Sequence, residues 1–207
     1  NGTNNYWSIH ASENDGYPYF DRENLNIWSG TGDWTTTSNW SRGKLPNENT
    51  YANIESGTLT VNDDYTVTNL TIQAPATVNV TFGKKITCNT TYLKSDVNNT
   101  GKYVTNASGI YTEAEQYFVK DKWHYYTLPI SGTANALNLF PRFYLIEHEE
   151  NSNDWNYLDK NSSLTAGTGY GAQYNRPDTD NDTTITISGT LNTGNITVNT
   201  QFTDHTT

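Results

Sequence analysis

Two alternating runs constrain this chain more than any other feature. In TLTVNDDYTVTNLTI (residues 58–72), Leu59, Val61, Tyr65 and Val67 fall on one face. Leu70 and Ile72 then change phase, which predicts a bend near Thr68–Asn69. In TVNVTFGKKITC (residues 77–88), Val78, Val80, Phe82, Ile86 and Cys88 fall on one face. The runs overlay at a shift of 19 residues: Leu59 on Val78, Val61 on Val80, Val67 on Ile86. A repeat of this length, built from short strands, predicts rungs of a β-solenoid. A β-sandwich produces similar alternation, so both architectures stay open for the first half.

Composition agrees with an ordered all-β chain. Thr, Asn, Ser, Gly and Tyr dominate, with 15 Tyr, 13% aromatic and only 16% charged residues. A disordered chain shows the reverse, with many charges and few aromatics. Twelve Lys and Arg against 22 Asp and Glu give a formal net charge of −10. That balance excludes an electrostatic match to nucleic acid, and no basic patch suits an anionic membrane. No apolar run is long enough to insert in a membrane. A single cysteine, Cys88, leaves no intrachain disulfide and reads as a small buried hydrophobe. Ten Asn-X-Ser/Thr sequons occur, but an Asn/Thr-rich chain generates many by chance.

Three regions are expected. Residues 1–26 read as the end strand of an upstream repeat or as an inter-subunit strand. Residues 27–110 form a Trp-containing solenoid-like or sandwich unit. Residues 117–207 form a β-sandwich-like unit with terminal strands. The polar stretch 94–116 is the boundary, and TEAEQYF (112–118) reads as one helical turn. FYLIEHE, a polar turn and WNYLD predict a hairpin. Both chain ends look strand-like and cut, which suggests a piece excised from a longer secreted or surface protein.

NDGYPYF (14–20), IWSGTGDWTTTSNWSRGKLPNENTYANIESG (27–57), and the block from KWHYYTLPISG through FYLIEHEENSNDWNYL to LTAGTGYGAQY occur in that order. Together they resemble the large repeat-bearing surface proteins of Bacteroidetes-type bacteria exported by the type IX secretion pathway. The first is similar to the N-D-G-Y-P-Y-L ending of their filamentous arrays. The second is similar to a Trp/Gly/Pro block that precedes solenoid-like strands. The chain ends before any carboxy-terminal sorting domain. The resemblance implies an extracellular or cell-surface location and an adhesin-like or structural role, with no activity attached.

Candidate chemistry is sparse. Trp28, Trp34 and Trp40 lie six residues apart among Gly, Ser and Thr, with Asp33 and Asn39 beside them. They read either as a sugar-stacking platform or as a bulky cap for a solenoid end. Trp123 and Trp155 sit in strand patterns and read as core. Asp178, Asp180 and Asp182 alternate, as hard oxygen ligands do at the start of a calcium loop. Thr183 and Gly189 stand where such a loop needs Gly and a bidentate Glu, so structural calcium competes with a plain solvated acidic turn. Glu147 and Glu149 share a strand face, but beside His148 they read as a hairpin flank, not as paired catalytic carboxylates.

The function expected is therefore a non-catalytic structural or adhesive surface protein, with a filament subunit that assembles by strand pairing among its forms. The alternative is a carbohydrate-binding module of a secreted polysaccharide-acting protein, with Trp28, Trp34 or Trp40 at its site. A lyase or hydrolase on a β scaffold is a weaker third class. Partners follow as neighbouring subunits or domains, or polysaccharide.

Overall fold

The computed structural model describes residues 7–8, 19–20, 24–149, 151–175 and 181–193. β1 (Trp7–Ser8) and β2 (Tyr19–Phe20) pair antiparallel. From residue 24 the chain winds as a parallel coil. The first rung holds β3 (Leu25–Ser29) and β4 (Gly32–Asp33). The second holds β5 (Tyr51–Ser56), β6 (Thr58–Val61) and β7 (Tyr65–Thr66). The third holds β8 (Asn69–Ile72), β9 (Thr77–Val80) and β10 (Ile86–Thr87). The fourth holds β11 (Thr90–Leu93) and β12 (Lys102–Val104), and β13 (Tyr111–Phe118) begins the fifth. Strands from successive rungs pair in parallel, β3-β5-β8-β11-β13 on one side, β4-β6-β9-β12 on another and β7-β10 on a third. The first half is thus solenoid-like, with no sandwich among the described residues.

Register explains why alternation was so clear. Inward positions stack directly, so Trp28, Ile54, Ile72, Leu93, Ala114 and Ile187 form one ladder across six strands. Trp28, Ile54 and Ile72 are fully buried. Burial of an aliphatic side chain such as Ile54 or Ile72 stabilises by roughly 1.5–3 kcal/mol relative to exposure. Leu59 faces Val78 and Val61 faces Val80, as the 19-residue shift predicts. Ile86, however, faces Tyr65 and not Val67. The turn from β9 to β10 (residues 81–85) is two residues longer than that from β6 to β7 (residues 62–64). The same turn carries Phe82 out of the core, where it is 87% exposed. The predicted bend at Thr68–Asn69 is the corner between β7 and β8. There the Thr68 N–H donates to Thr50 O at 2.8 Å, and the Thr68 hydroxyl to Glu48 O at 2.8 Å.

TEAEQYF is strand, not helix. Thr112 and Ala114 point inward at period two, and β13 has a partner on each side. On its outward side Glu115 meets Lys94 at 2.6 Å. The paired backbone outweighs the helix-forming tendency of Glu, Ala and Gln.

The second half is antiparallel. It comprises β14 (Trp123–Thr127), β15 (Thr133–Asn135), the single helical turn α1 (Ala136–Leu139), β16 (Phe143–Glu149), β17 (Asp154–Tyr157), β18 (Ser163–Thr165), β19 (Gly169–Tyr174) and β20 (Thr183–Thr190). Asn135 caps α1, its side chain accepting from the Asn138 N–H at 3.2 Å. Four strands form a sheet in the order β14-β19-β16-β17, and β15 pairs with β18. β20 returns to pair antiparallel with β13 along its whole length. The core beneath includes Phe118, Tyr126, Phe140, Leu164, Tyr170 and Ile187. Phe118 comes from β13 and Ile187 from β20, so the last solenoid sheet supplies one wall of this second core.

Gly57 makes the corner from β5 to β6 at φ +79, and a Cβ there would collide with the Gly30 carbonyl of the rung below. Gly83 has nearly the same φ, +80, but open space around it. Gly83→Ala is expected to cost about 1–2 kcal/mol from the left-handed backbone alone. Gly57→Ala is expected to cost clearly more, because backbone must also move. Urea unfolding of both variants checks this; equal costs would contradict the stacked corner.

Candidate functional site: an aromatic sheet face

In the four-stranded sheet the two faces differ in kind. Inward positions Tyr126, Tyr170, Ala172, Tyr174 and Leu145 are buried. Outward positions follow from the register. Trp123, Gln173 and Tyr144 form one row. Tyr125, Gly171, Ile146 and Tyr157 form the next. Thr127 pairs with Gly169, and His148 with Trp155, beyond them. Five large rings therefore stand on one open face, with Tyr125 90% and Tyr157 70% exposed. Trp123 and Trp155, expected in the core, are about half exposed on this face (45% and 46%). On β14 the inner side is taken by Tyr126, and on the edge strand β17 all four residues are exposed.

The face is built and not merely left over. Tyr144 and Tyr157 meet edge to face at 6.2 Å, and His148 and Trp155 at 5.1 Å. Gly171 allows Ile146 to lie flat across β19: a Cβ there would come within 2.6 Å of Ile146 Cγ1. A Cβ at Gly169 would meet nothing within 4 Å, so the sheet surface beside Thr127 is open there. The Gln173 side chain donates to Asp121 O at 2.9 Å, and His148 Nε2 lies 3.3 Å from Asn153 Oδ1. Along one strand, Trp123 and Tyr125 are roughly 7 Å apart; Tyr125 and Tyr157, three strands apart, are separated by roughly 14 Å. Where β14 borders the solenoid, a cleft of about 270 Å³ opens, with Tyr125, Thr127, Gln116 and Thr100 in its walls.

The first three tryptophans have another job. Trp28, Trp34 and Trp40 are 0%, 1% and 2% exposed. Trp40 packs edge to face on Trp28 (5.2 Å) and Trp34 (5.0 Å), and Trp34 stacks on Tyr65 at 4.7 Å and 16°. Trp40 Nε1 donates to Trp34 O at 2.8 Å, and Trp28 Nε1 to Gly30 O at 3.0 Å. With no face open to solvent they cannot stack a sugar. The segment that follows them also covers the edge of β3: the Ser41 N–H donates to Ile27 O at 2.8 Å, and Ser41 Oγ accepts from the Ile27 N–H at 3.0 Å. Buried Asn26 accepts from the Arg42 N–H at 3.2 Å and donates to Lys44 O at 2.8 Å. The tryptophans cap the solenoid, and the platform reading of them is withdrawn.

Of the acidic trio, Asp178 and Asp180 lie outside the described residues. Asp182 is engaged: it accepts from the Tyr117 hydroxyl and from the Lys120 N–H at 2.8 Å. Among the described residues no group of three or more His, Cys, Asp or Glu is placed to hold a metal ion. Glu149 is exposed and Glu147 half-buried on the β16–β17 hairpin. Cys88 is half-buried against the solenoid core near the Thr91 hydroxyl at 3.4 Å, and burial pushes its thiol above the ordinary value.

The Tyr117 hydroxyl and then the Lys120 N–H hold the Asp182 carboxyl below its ordinary value of 3.8. The folded value lies below the unfolded one. The stabilisation is therefore fully present above the ordinary aspartate range and is lost as pH falls through the depressed folded value. Acid titration followed by NMR is expected to show Asp182 titrating below the ordinary 3.8, and Tyr117→Phe is expected to return it toward that value; an unchanged midpoint would contradict the pairing. No family model matches this chain, and no curated protein or solved structure matches it either.

Proposed function

We propose that the chain is a non-catalytic extracellular module of a structural or adhesive surface protein. The capped solenoid is its rigid support, and the open aromatic sheet is its contact face. One observation carries this reading. Of the ten exposed large apolar or aromatic side chains among the described residues, five sit together on that single sheet face. A clustered face of this kind marks interaction surfaces, whereas scattered exposed apolar residues are ordinary. Composition and the resemblance to bacterial surface proteins support an extracellular location. Among the described residues no helix is long and apolar enough to cross a membrane.

Filament assembly by strand addition is a second form of the same role. It is favoured by β20, an eight-residue strand that stands outermost in the six-stranded sheet.

Beads coated with the protein are expected to adhere to at least one of three surfaces: neutral polysaccharide, matrix protein, or immobilised copies of this chain. The double variant Tyr125→Ala/Trp155→Ala is expected to lose about tenfold or more in adhesion while keeping its melting temperature. Equal adhesion of variant and wild type on all three surfaces would sink the contact-face reading. In negative-stain images, filaments formed equally by the double variant would support strand addition; monodisperse particles alone would remove it.

A further inference from the structure

We infer that the aromatic face binds a neutral polysaccharide laid across the strands of the β14-β19-β16-β17 sheet. The inference rests on the adhesive reading above and names its ligand. Four observations favour a sugar over a protein partner or a polyanion.

The first is the type of ring. The exposed large side chains of this face are Trp and Tyr, with Ile146 only half-buried between them. Each ring offers an apolar face and a polar edge, which suits the C–H face of a pyranose with its hydroxyls directed outward. A stable protein interface has a more continuous apolar centre. The second is spacing. Tyr125 and Tyr157 stand at the two ends of one row, roughly 14 Å apart over three strand steps. That span accommodates several linked sugar rings, which can rest on an aromatic at each end and on Ile146 between them.

The third is the polar supply. Thr127 on the face and the cleft at the β14 edge, whose walls include Thr100, Gln116 and the Lys94-paired Glu115, place hydroxyl, amide and carboxylate groups next to Tyr125. Few well-placed polar groups around aromatic faces are what fix a sugar's orientation. The fourth is charge. The outward positions of the sheet carry no Lys or Arg to pair with an anion, and the chain as a whole carries −10. An acidic polysaccharide would be repelled, so the ligand is neutral.

The test is affinity electrophoresis of the whole chain in gels containing a neutral β-glucan, xylan or mannan, with a polyuronate as the anionic comparison. At least one neutral polymer is expected to retard the wild type, and the polyuronate is not. Tyr125→Ala and Trp155→Ala are each expected to raise Kd about tenfold. Phe82→Ala removes an exposed ring on the solenoid turn, away from this face, and is expected to stay within about twofold of wild type, while unchanged melting temperatures of the ring variants exclude a folding artefact. Migration unchanged by every neutral polymer would overturn the inference, as would retardation that the ring variants retain. Ring-dependent adhesion to matrix protein, or ring-dependent self-association in sedimentation velocity, without polysaccharide binding would overturn the sugar and leave the contact face standing. Loss of all ring dependence would overturn both.

Discussion

Everything in this molecule depends on in-register stacking along the solenoid. A parallel rung cannot bury its inner side chains alone; it needs the rung above and below. The ladder from Trp28 through Ile54 and Ile72 to Ile187 is that mutual burial, one residue per strand. Such a stack has two ends, and each end exposes a sheet edge and a core. At the first end the chain places three indoles, with Trp40 between Trp28 and Trp34, and Ser41 beside β3. Loss of an indole from such a site costs on the order of 3–5 kcal/mol, a large share of a domain's net stability.

The other end is closed differently, and that difference connects the solenoid to the aromatic sheet. β20 runs antiparallel to β13 and stops the parallel winding. Its Ile187 and the Phe118 of β13 become part of the second core. Asp182 holds the start of β20 to Tyr117 and Lys120. The aromatic sheet is thus anchored to the solenoid through shared side chains and a shared strand pair. A face held this way keeps its rings in place without a ligand, which reduces the ordering cost of binding.

Much of the fold was legible, and the reasons are physical. Parallel stacking repeats the same inward positions, so Leu59–Val78 and Val61–Val80 could be aligned from the letters alone. The alignment failed at Ile86, because turn length is free to vary once a rung is closed by its neighbours. TEAEQYF misled because Glu, Ala and Gln favour helix locally, while the pairing of β13 with β11 and β20 is a long-range fact. The site was harder. WHYYT and FYLIEHE carry large side chains on both sides of their strands, so periodicity cannot say which side is the core. Trp123 reads as core for that reason; Trp155 reads as core because alternation does not reveal that its strand is an edge strand with no buried side. Trp28, Trp34 and Trp40 had two readings because polar neighbours in sequence are not neighbours in space. One signal was available: Gly169 and Gly171 alternate in one strand, which marks a thin strip of sheet over which other side chains can lie.

The two sets of aromatic residues thus differ in kind: one set seals the solenoid, and the other stays exposed on one sheet face. Hydroxyl-radical footprinting read by mass spectrometry tests that division most directly, residue by residue, on the native chain. The account predicts rapid modification of Trp123, Tyr125, Trp155 and Tyr157, with Trp28, Trp34 and Trp40 protected until the protein unfolds. Rapid modification of the three capping tryptophans, or protection of the sheet-face rings in the isolated monomer, would contradict it.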